Sequence, residues 1–210
     1  SEFGRAMKLQ VTHRTEYFYA EPVSDSFNEV RLQPTSAGGQ VCDSFLVRVI
    51  PSTRLSHFLD FYMNYVHFFE VPEPHYDLTI EGTSVVTTRW KVMMEDMETV
   101  RLTDMAGCSR LEQCYDFLQA SHYVDLGPQV WRTALDAVGD IKDAWAAAIA
   151  IRRFIHSNYT YTPLVTNVTT HMRDVMEYRR GVCQDFAHVM VGMCRALKIP
   201  ARYVSGYLYC

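Results

Sequence analysis

The 210-residue sequence lacks any apolar run near the roughly 20 residues a bilayer-crossing helix needs. Its longest nearly apolar stretch, Ala144–Ile151, is followed at once by Arg152 and Arg153. It also lacks a basic excess. Twenty Lys and Arg against 24 Asp and Glu leave a net charge of −4, so neither nucleic acid nor a membrane surface is the expected partner. The six cysteines include no C-x-x-C pair, and no paired histidines follow Cys108 and Cys114, so no zinc knuckle is offered. There is no internal repeat and no low-complexity segment. An apolar signal core is missing as well: after Met7 the chain reads "KLQVTHRTEYFYA", an alternating pattern. Reduced thiols in a cytoplasmic protein are expected. The leading "SEFGRA", Ser1–Ala6, reads as a cloning remnant, with Met7 as the natural start.

What is present divides into a β-rich first part and a helical second part. Leu9, Val11, His13, Thr15, Tyr17 and Tyr19 share one face of a period-two pattern, against Gln10, Thr12, Arg14 and Glu16 on the other. "FNEVRLQP", "DSFLVRVIP" and "YDLTIEGTSVVTTRW" continue as strands. The aromatic runs either side of Met63-Asn64 read as a hairpin, and Phe58–Phe69 as sandwich core. Residues 7–98 are therefore expected to form an antiparallel β-sandwich. Residues 99–127 read as a linker with a short helix over Ser109–Gln119, and 128–210 as an α+β core. Pro128 suits a first helical position. Asp140 reads as the cap of the next helix, with Asp143 at its third position. Trp145, Ala148, Arg152 and Ile155 recur on one side of it, as do Ala144, Ala148, Ile151 and Ile155. "NYTYTP" reads as a turn or short strand.

The segment that bears on chemistry is "RRGVCQDFAHVMVGMCRALKIPARYVSGYLYC". "THMRDVMEYRR" reads as a helix closed by a left-handed Gly181. A second helix opens near Cys183, with Phe186, Met190, Met193, Cys194 and Leu197 as its buried stripe, and Pro200 stops it. Cys183 then lies in the first turn, where unpaired N–H groups and the helix dipole favour a thiolate. The same N–H groups can hold an oxyanion, worth about 10²–10³ in rate per donor. A small buried thiol at a helix start is the other reading of the same pattern.

"GVCQDFAHVMVGMCRALKIPARYVSGYL" (Gly181–Leu208) closely resembles the core motif of the bacterial transglutaminase-like superfamily, whose members are papain-like cysteine enzymes. "THRTEYFYAEPVSDSFNEVRLQP", with Pro22-Val23 and Arg31–Pro34, is similar to the β-rich domain that precedes that core in a bacterial subgroup. The resemblance implies that Cys183 is the nucleophile and forms a thioester with a protein or peptide amide. Water or an amine then resolves it, and no cofactor is called for. It also implies a base histidine and an orienting aspartate downstream of "ARYVSGYL". All eight histidines lie at or before the Cys183 helix. His188 is turned about 140° from Cys183 at ~3.6 residues per turn and is expected to face away. His67, His75 and His156 read as structural, and Asp185 as either an orienting group or a first-turn acid. Arg202 or Tyr203 is expected to line the site. The sequence is therefore expected to be a C-terminally truncated domain, inactive by itself, with an open sheet edge through which it forms a homodimer. The competing expectation is a non-catalytic scaffold whose β-sandwich recognises a partner.

Overall fold

The computed structural model describes residues 6–89, 100–163 and 170–208. Residues 1–5 of the expected remnant, Ser1–Ala6, and the expected start of the linker at Thr99 lie outside them. The chain forms two compact units, Ser1–Glu95 and Asp96–Cys210.

The first unit follows from the period-two pattern. In β1 (Met7–Val23), Leu9, Val11, His13, Thr15 and Tyr19 are half-buried, while Gln10, Thr12, Arg14 and Glu16 are exposed. Tyr17 departs from the pattern and is exposed. β1 pairs antiparallel with β6 (His75–Thr88), from Met7↔Thr88 to Phe18↔Asp77, and β3 (Gln40–Ile50) pairs with the other side of β6. A second antiparallel sheet has the order β2 (Ser26–Val30), β5 (Tyr65–Val71), β4 (Leu55–Leu59). Val49, Leu78 and Ile80 from the first sheet meet Phe69 and Val71 from the second in one buried cluster. This is the antiparallel sandwich expected.

The hairpin at Met63-Asn64 is present and has a visible cause. Met63 takes a left-handed conformation (φ 64°). The Asp60 side chain accepts from the backbone N–H groups of Tyr62 (3.0 Å) and Asn64 (2.9 Å), tying the turn. The expectation that Phe58–Phe69 is core needs correction. Val66 and Phe69 are buried, but Phe58, Phe61, Tyr62 and Phe68 are exposed. Phe61 and Tyr62 lie in the turn between β4 and β5, and on a strand successive side chains point to opposite faces, so a run of aromatics cannot all be turned inward.

The second unit opens with 3₁₀ turns at Asp104–Arg110 and Asp116–Leu118 around a single α turn, α1 (Glu112–Tyr115). α2 (Pro128–Val138) begins with Pro128 at its first turn, as expected. α3 (Ala144–Asn158) does not start at Asp140. Its cap is Asp143, whose Oδ1 accepts from the Ala146 N–H at 2.7 Å. Gly139, at φ 57°, closes α2, and the next residues run as a loop paired to Val100–Leu102 (Leu102 N–H to Lys142 O and Ala144 N–H to Val100 O, both 2.8 Å). α3 buries Ala144, Ala147, Ile151 and Ile155, whereas Trp145 is about half exposed. Of the residues expected on the buried side, Ala144, Ile151 and Ile155 go inward and Ala148 is half-buried, whereas Trp145 and Arg152 turn outward.

α4 (Met172–Tyr178) is capped by His171, whose Nδ1 accepts from the Arg173 N–H at 3.1 Å. Its left-handed closing residue is Arg179 (φ 53°), not Gly181. Gly181 sits in β8 (Arg180–Gly181), which pairs in parallel with β7 (Thr160–Tyr161). α5 (Cys183–Ala196) runs through the main core, packed with α2, α3 and α4. The stretch Ala201–Leu208, which follows the stop at Pro200, joins no sheet among the described residues. Its start is held by Ala201 N–H to Phe117 O (3.0 Å). No helix among the described residues is long and apolar enough to cross a membrane.

Candidate active site

Cys183 is the first residue of α5, and its side chain is exposed. The helix starts there because Val182 is extended (φ −116°, ψ −179°) while its carbonyl already accepts the Phe186 N–H at 3.1 Å. Helix geometry leaves the N–H groups of Cys183 and Gln184 without acceptors in the preceding turn. An exposed thiol therefore stands beside unpaired donors at the positive end of a 14-residue helix. Cys194, on the same helix, is the opposite case. It is buried, and burial pushes its thiol up to about 11. Of the two cysteines on α5, only Cys183 is placed to react.

The turn before Cys183 is held by a buried acid. Asp185 is 2% exposed, and its Oδ2 accepts the Val182 N–H at 2.7 Å. This is one half of a reciprocal cap; valine has no side-chain acceptor to supply the other half. Gly181 is where it is because nothing larger fits. A Cβ built there would meet Asp185 Oδ2 at 2.7 Å and Asp185 Cβ at 2.9 Å. Its value is close approach, not a left-handed conformation. The acidic residue three positions after Val182 was the sequence signal for this contact.

The histidines lie elsewhere. His188 is buried on α5, stacked on Tyr123 (ring centroids 5.3 Å, planes 2° apart) and tilted against Tyr203 (5.3 Å). Burial holds its pKa below the ordinary value; Asp185 opposes this and His171 adds to it. Its Nδ1 has no hydrogen-bond partner among the described residues. Tyr203 packs one side on His188, and both Arg202 and Tyr203 are exposed. In the first unit, His67 lies against Phe45 and His57, and His75 Nδ1 is 2.8 Å from Glu73 O. His156 is exposed in the last turn of α3. Among the described residues, no hydrogen bond or ion pair joins the Cys183 thiol to a histidine. No group of three or more His, Cys, Asp or Glu side chains is placed to hold a metal ion there either.

This architecture, a two-sheet sandwich followed by a helical core that opens its central helix with an exposed cysteine, has relatives on both sides. Residues 9–87 match the bacterial transglutaminase-like N-terminal region, and residues 132–210 match the transglutaminase-like superfamily core. An uncharacterized protein of Mycobacterium leprae, ML0607, is 32% identical over 96% of this chain and 71% of its own length. The uncharacterized protein Rv2569c of Mycobacterium tuberculosis is 28% identical over 96% of this chain and 66% of its own length. A solved structure from Cytophaga hutchinsonii, named "a Putative Cysteine Protease", superposes with a TM-score of 0.72 at 26% identity. That superposition covers 93% of this chain and 65% of the other. The chain belongs to the bacterial transglutaminase-like family. It spans 65% to 71% of the length of these three relatives.

Proposed function

We propose that this chain carries the nucleophile of a cysteine-dependent acyl-transfer enzyme that acts on protein or peptide amides through Cys183. The observation that carries the reading is the exposed Cys183 at the start of a buried helix, inside a family core match. In the first step the thiolate attacks the amide carbon. The C–N bond breaks, the nitrogen leaves protonated as ammonia or an amine, and a thioester remains on sulfur. In the second step water or an amine attacks the thioester, the C–S bond breaks and the thiol is regenerated. Hydrolysis is the favoured outcome, in line with the name given to the Cytophaga hutchinsonii structure. The reading assigns the activating histidine and aspartate to sequence outside these residues, and so assigns low turnover to the chain alone. It places the protein in the cytoplasm, in keeping with free thiols at Cys42, Cys108, Cys114, Cys183 and Cys194.

The test compares this chain with a longer protein that carries the family's histidine and aspartate. Both are incubated with glutamine-containing peptides, with and without a labelled primary amine, and products are read by mass spectrometry. Turnover in the longer protein should vanish in Cys183→Ala. Undiminished turnover in that variant refutes the assignment. Hydrolysis product without amine incorporation supports the protease branch, and incorporation supports the transferase branch.

A further inference from the structure

We propose that Asp185 is a positioning residue for acyl transfer at Cys183, acting through the backbone of the turn before it; this rests on the acyl-transfer reading above. Three observations carry it. Asp185 is a buried acid, and one oxygen of it accepts the Val182 N–H at 2.7 Å. Gly181 lies so close that a Cβ would fall 2.7 Å from that same Oδ2. Gly181 is itself fixed from the other side, where its carbonyl accepts the Thr162 N–H at 2.9 Å beside the β7–β8 pairing.

A first-turn acid that only favoured the helix dipole would sit in solvent. Asp185 instead reaches back over a glycine to the peptide that leads into the nucleophile. Fixing Val182 sets the direction of the Cys183 Cα–Cβ bond and of the unpaired N–H groups next to it. An oxyanion needs those donors about 2.7–3.1 Å from where its charge develops, and a misplacement of about 1 Å can cost ~10²-fold in rate.

Two reactions at the same sulfur separate positioning from mere stability. Iodoacetamide alkylates a thiolate by displacing iodide and forms no oxyanion. p-Nitrophenyl acetate acylates it: sulfur adds to the carbonyl, an oxyanion forms, p-nitrophenolate leaves and a thioester remains. The rate of each at Cys183 is followed by peptide mass mapping in wild type, Asp185→Ala, Asp185→Asn and Gly181→Ala. Asp185→Ala should lower the acylation-to-alkylation ratio by tenfold or more. Asp185→Asn retains a side-chain oxygen that can accept the Val182 N–H and should recover most of the ratio. Gly181→Ala, which pushes the carboxyl group out, should match Asp185→Ala. Protection of the Val182 amide in hydrogen exchange should fall in the Ala variants and persist in Asp185→Asn.

A ratio unchanged in Asp185→Ala overturns the proposal, as does equal loss of the ratio in Asp185→Asn. If Asp185→Ala does not fold, Asp185→Asn and Gly181→Ala decide by the same comparison. A wild-type Cys183 that alkylates but takes no acyl group sinks the acyl-transfer reading itself. The exchange of the Val182 amide then still settles whether Asp185 holds the turn.

Discussion

Gly192 lies on α5, where helix propensity and packing pull in opposite directions. Alanine inside a helix is more favourable than glycine by about 1 kcal/mol, so Gly192→Ala should stabilise if propensity decides. The structure says packing decides. A Cβ at 192 would sit 2.6 Å from Met172 Cε, 2.8 Å from its Sδ and 3.2 Å from the Asp125 carbonyl oxygen. Met172 is fully buried, and its sulfur accepts the Asp125 N–H at 3.0 Å. Asp125 is held in turn: its Oδ1 accepts from Leu126 and Gly127, and its Oδ2 from Arg173 Nε. The thioether cannot swing away without losing a bond, and the carbonyl cannot move without disturbing that turn. Overpacking of this kind costs about 1–3 kcal/mol, so the net expectation is a loss of about 1 kcal/mol. Among the described residues the helices longer than three turns all lie in the second unit, so urea unfolding followed at 222 nm reports it. The midpoint should fall with m unchanged. In a Met172→Ala background, itself about 2–5 kcal/mol less stable, the principal clash is gone and Gly192→Ala should become neutral or stabilising. Stabilisation by Gly192→Ala in the wild-type background would refute the packing argument outright.

Asp143→Ala removes the acceptor for the Ala146 N–H and should cost about 1 kcal/mol in the same unfolding experiment, whereas Asp140→Ala should cost much less. Equal costs would restore Asp140 as the cap. His188→Phe should flatten the pH dependence of stability as pH falls below about 6.5. The sign follows from a folded pKa held below the unfolded value of about 6.5, chiefly by burial. Stability is fully present above that unfolded value and is lost as pH falls from it through the folded one. An unchanged slope in the variant would remove His188 as its source.

The sequence showed periodicity well and backbone approach poorly. Alternation in β1 and the aliphatic stripe of α3 were legible because each needs only one residue's polarity and its spacing. The glycine before Cys183 was legible as special, but for the wrong reason. A helix end at Gly181 and a close contact at Gly181 give the same letter, and only the Asp185 oxygen on the other side tells them apart. Asp140 and Asp143 posed a similar ambiguity. Both are acids ahead of an alanine-rich helix, and the choice turns on the backbone pairing of Val100–Leu102 with the loop, more than 35 residues away in sequence.

The face of α5 shows why the nucleophile helix was harder to read than the others. A stripe of Phe186, Met190, Met193, Cys194 and Leu197 would suit a helix buried on one side. In the fold, Val189, Val191, Gly192, Met193 and Cys194 are all buried, so the helix is enclosed nearly all round in its middle. An apolar helix surrounded by apolar neighbours has little in its own sequence to fix its rotation or its position along its axis. Those are set by two buried charged residues that a sequence reading places at the surface. Asp185 ties the first turn to Val182. Arg195 ties the last turn, its Nε donating to Ala201 O at 2.9 Å and its Nη1 to Gln119 O. Each has defined hydrogen-bond geometry, so a slide or rotation of the helix would break bonds whose loss inside the protein costs about 1–3 kcal/mol or more apiece. The apolar middle gives α5 its stability, and the polar ends give it its place. The direction in which Cys183 points is thus a property of Asp185 and Arg195 more than of the hydrophobic pattern between them.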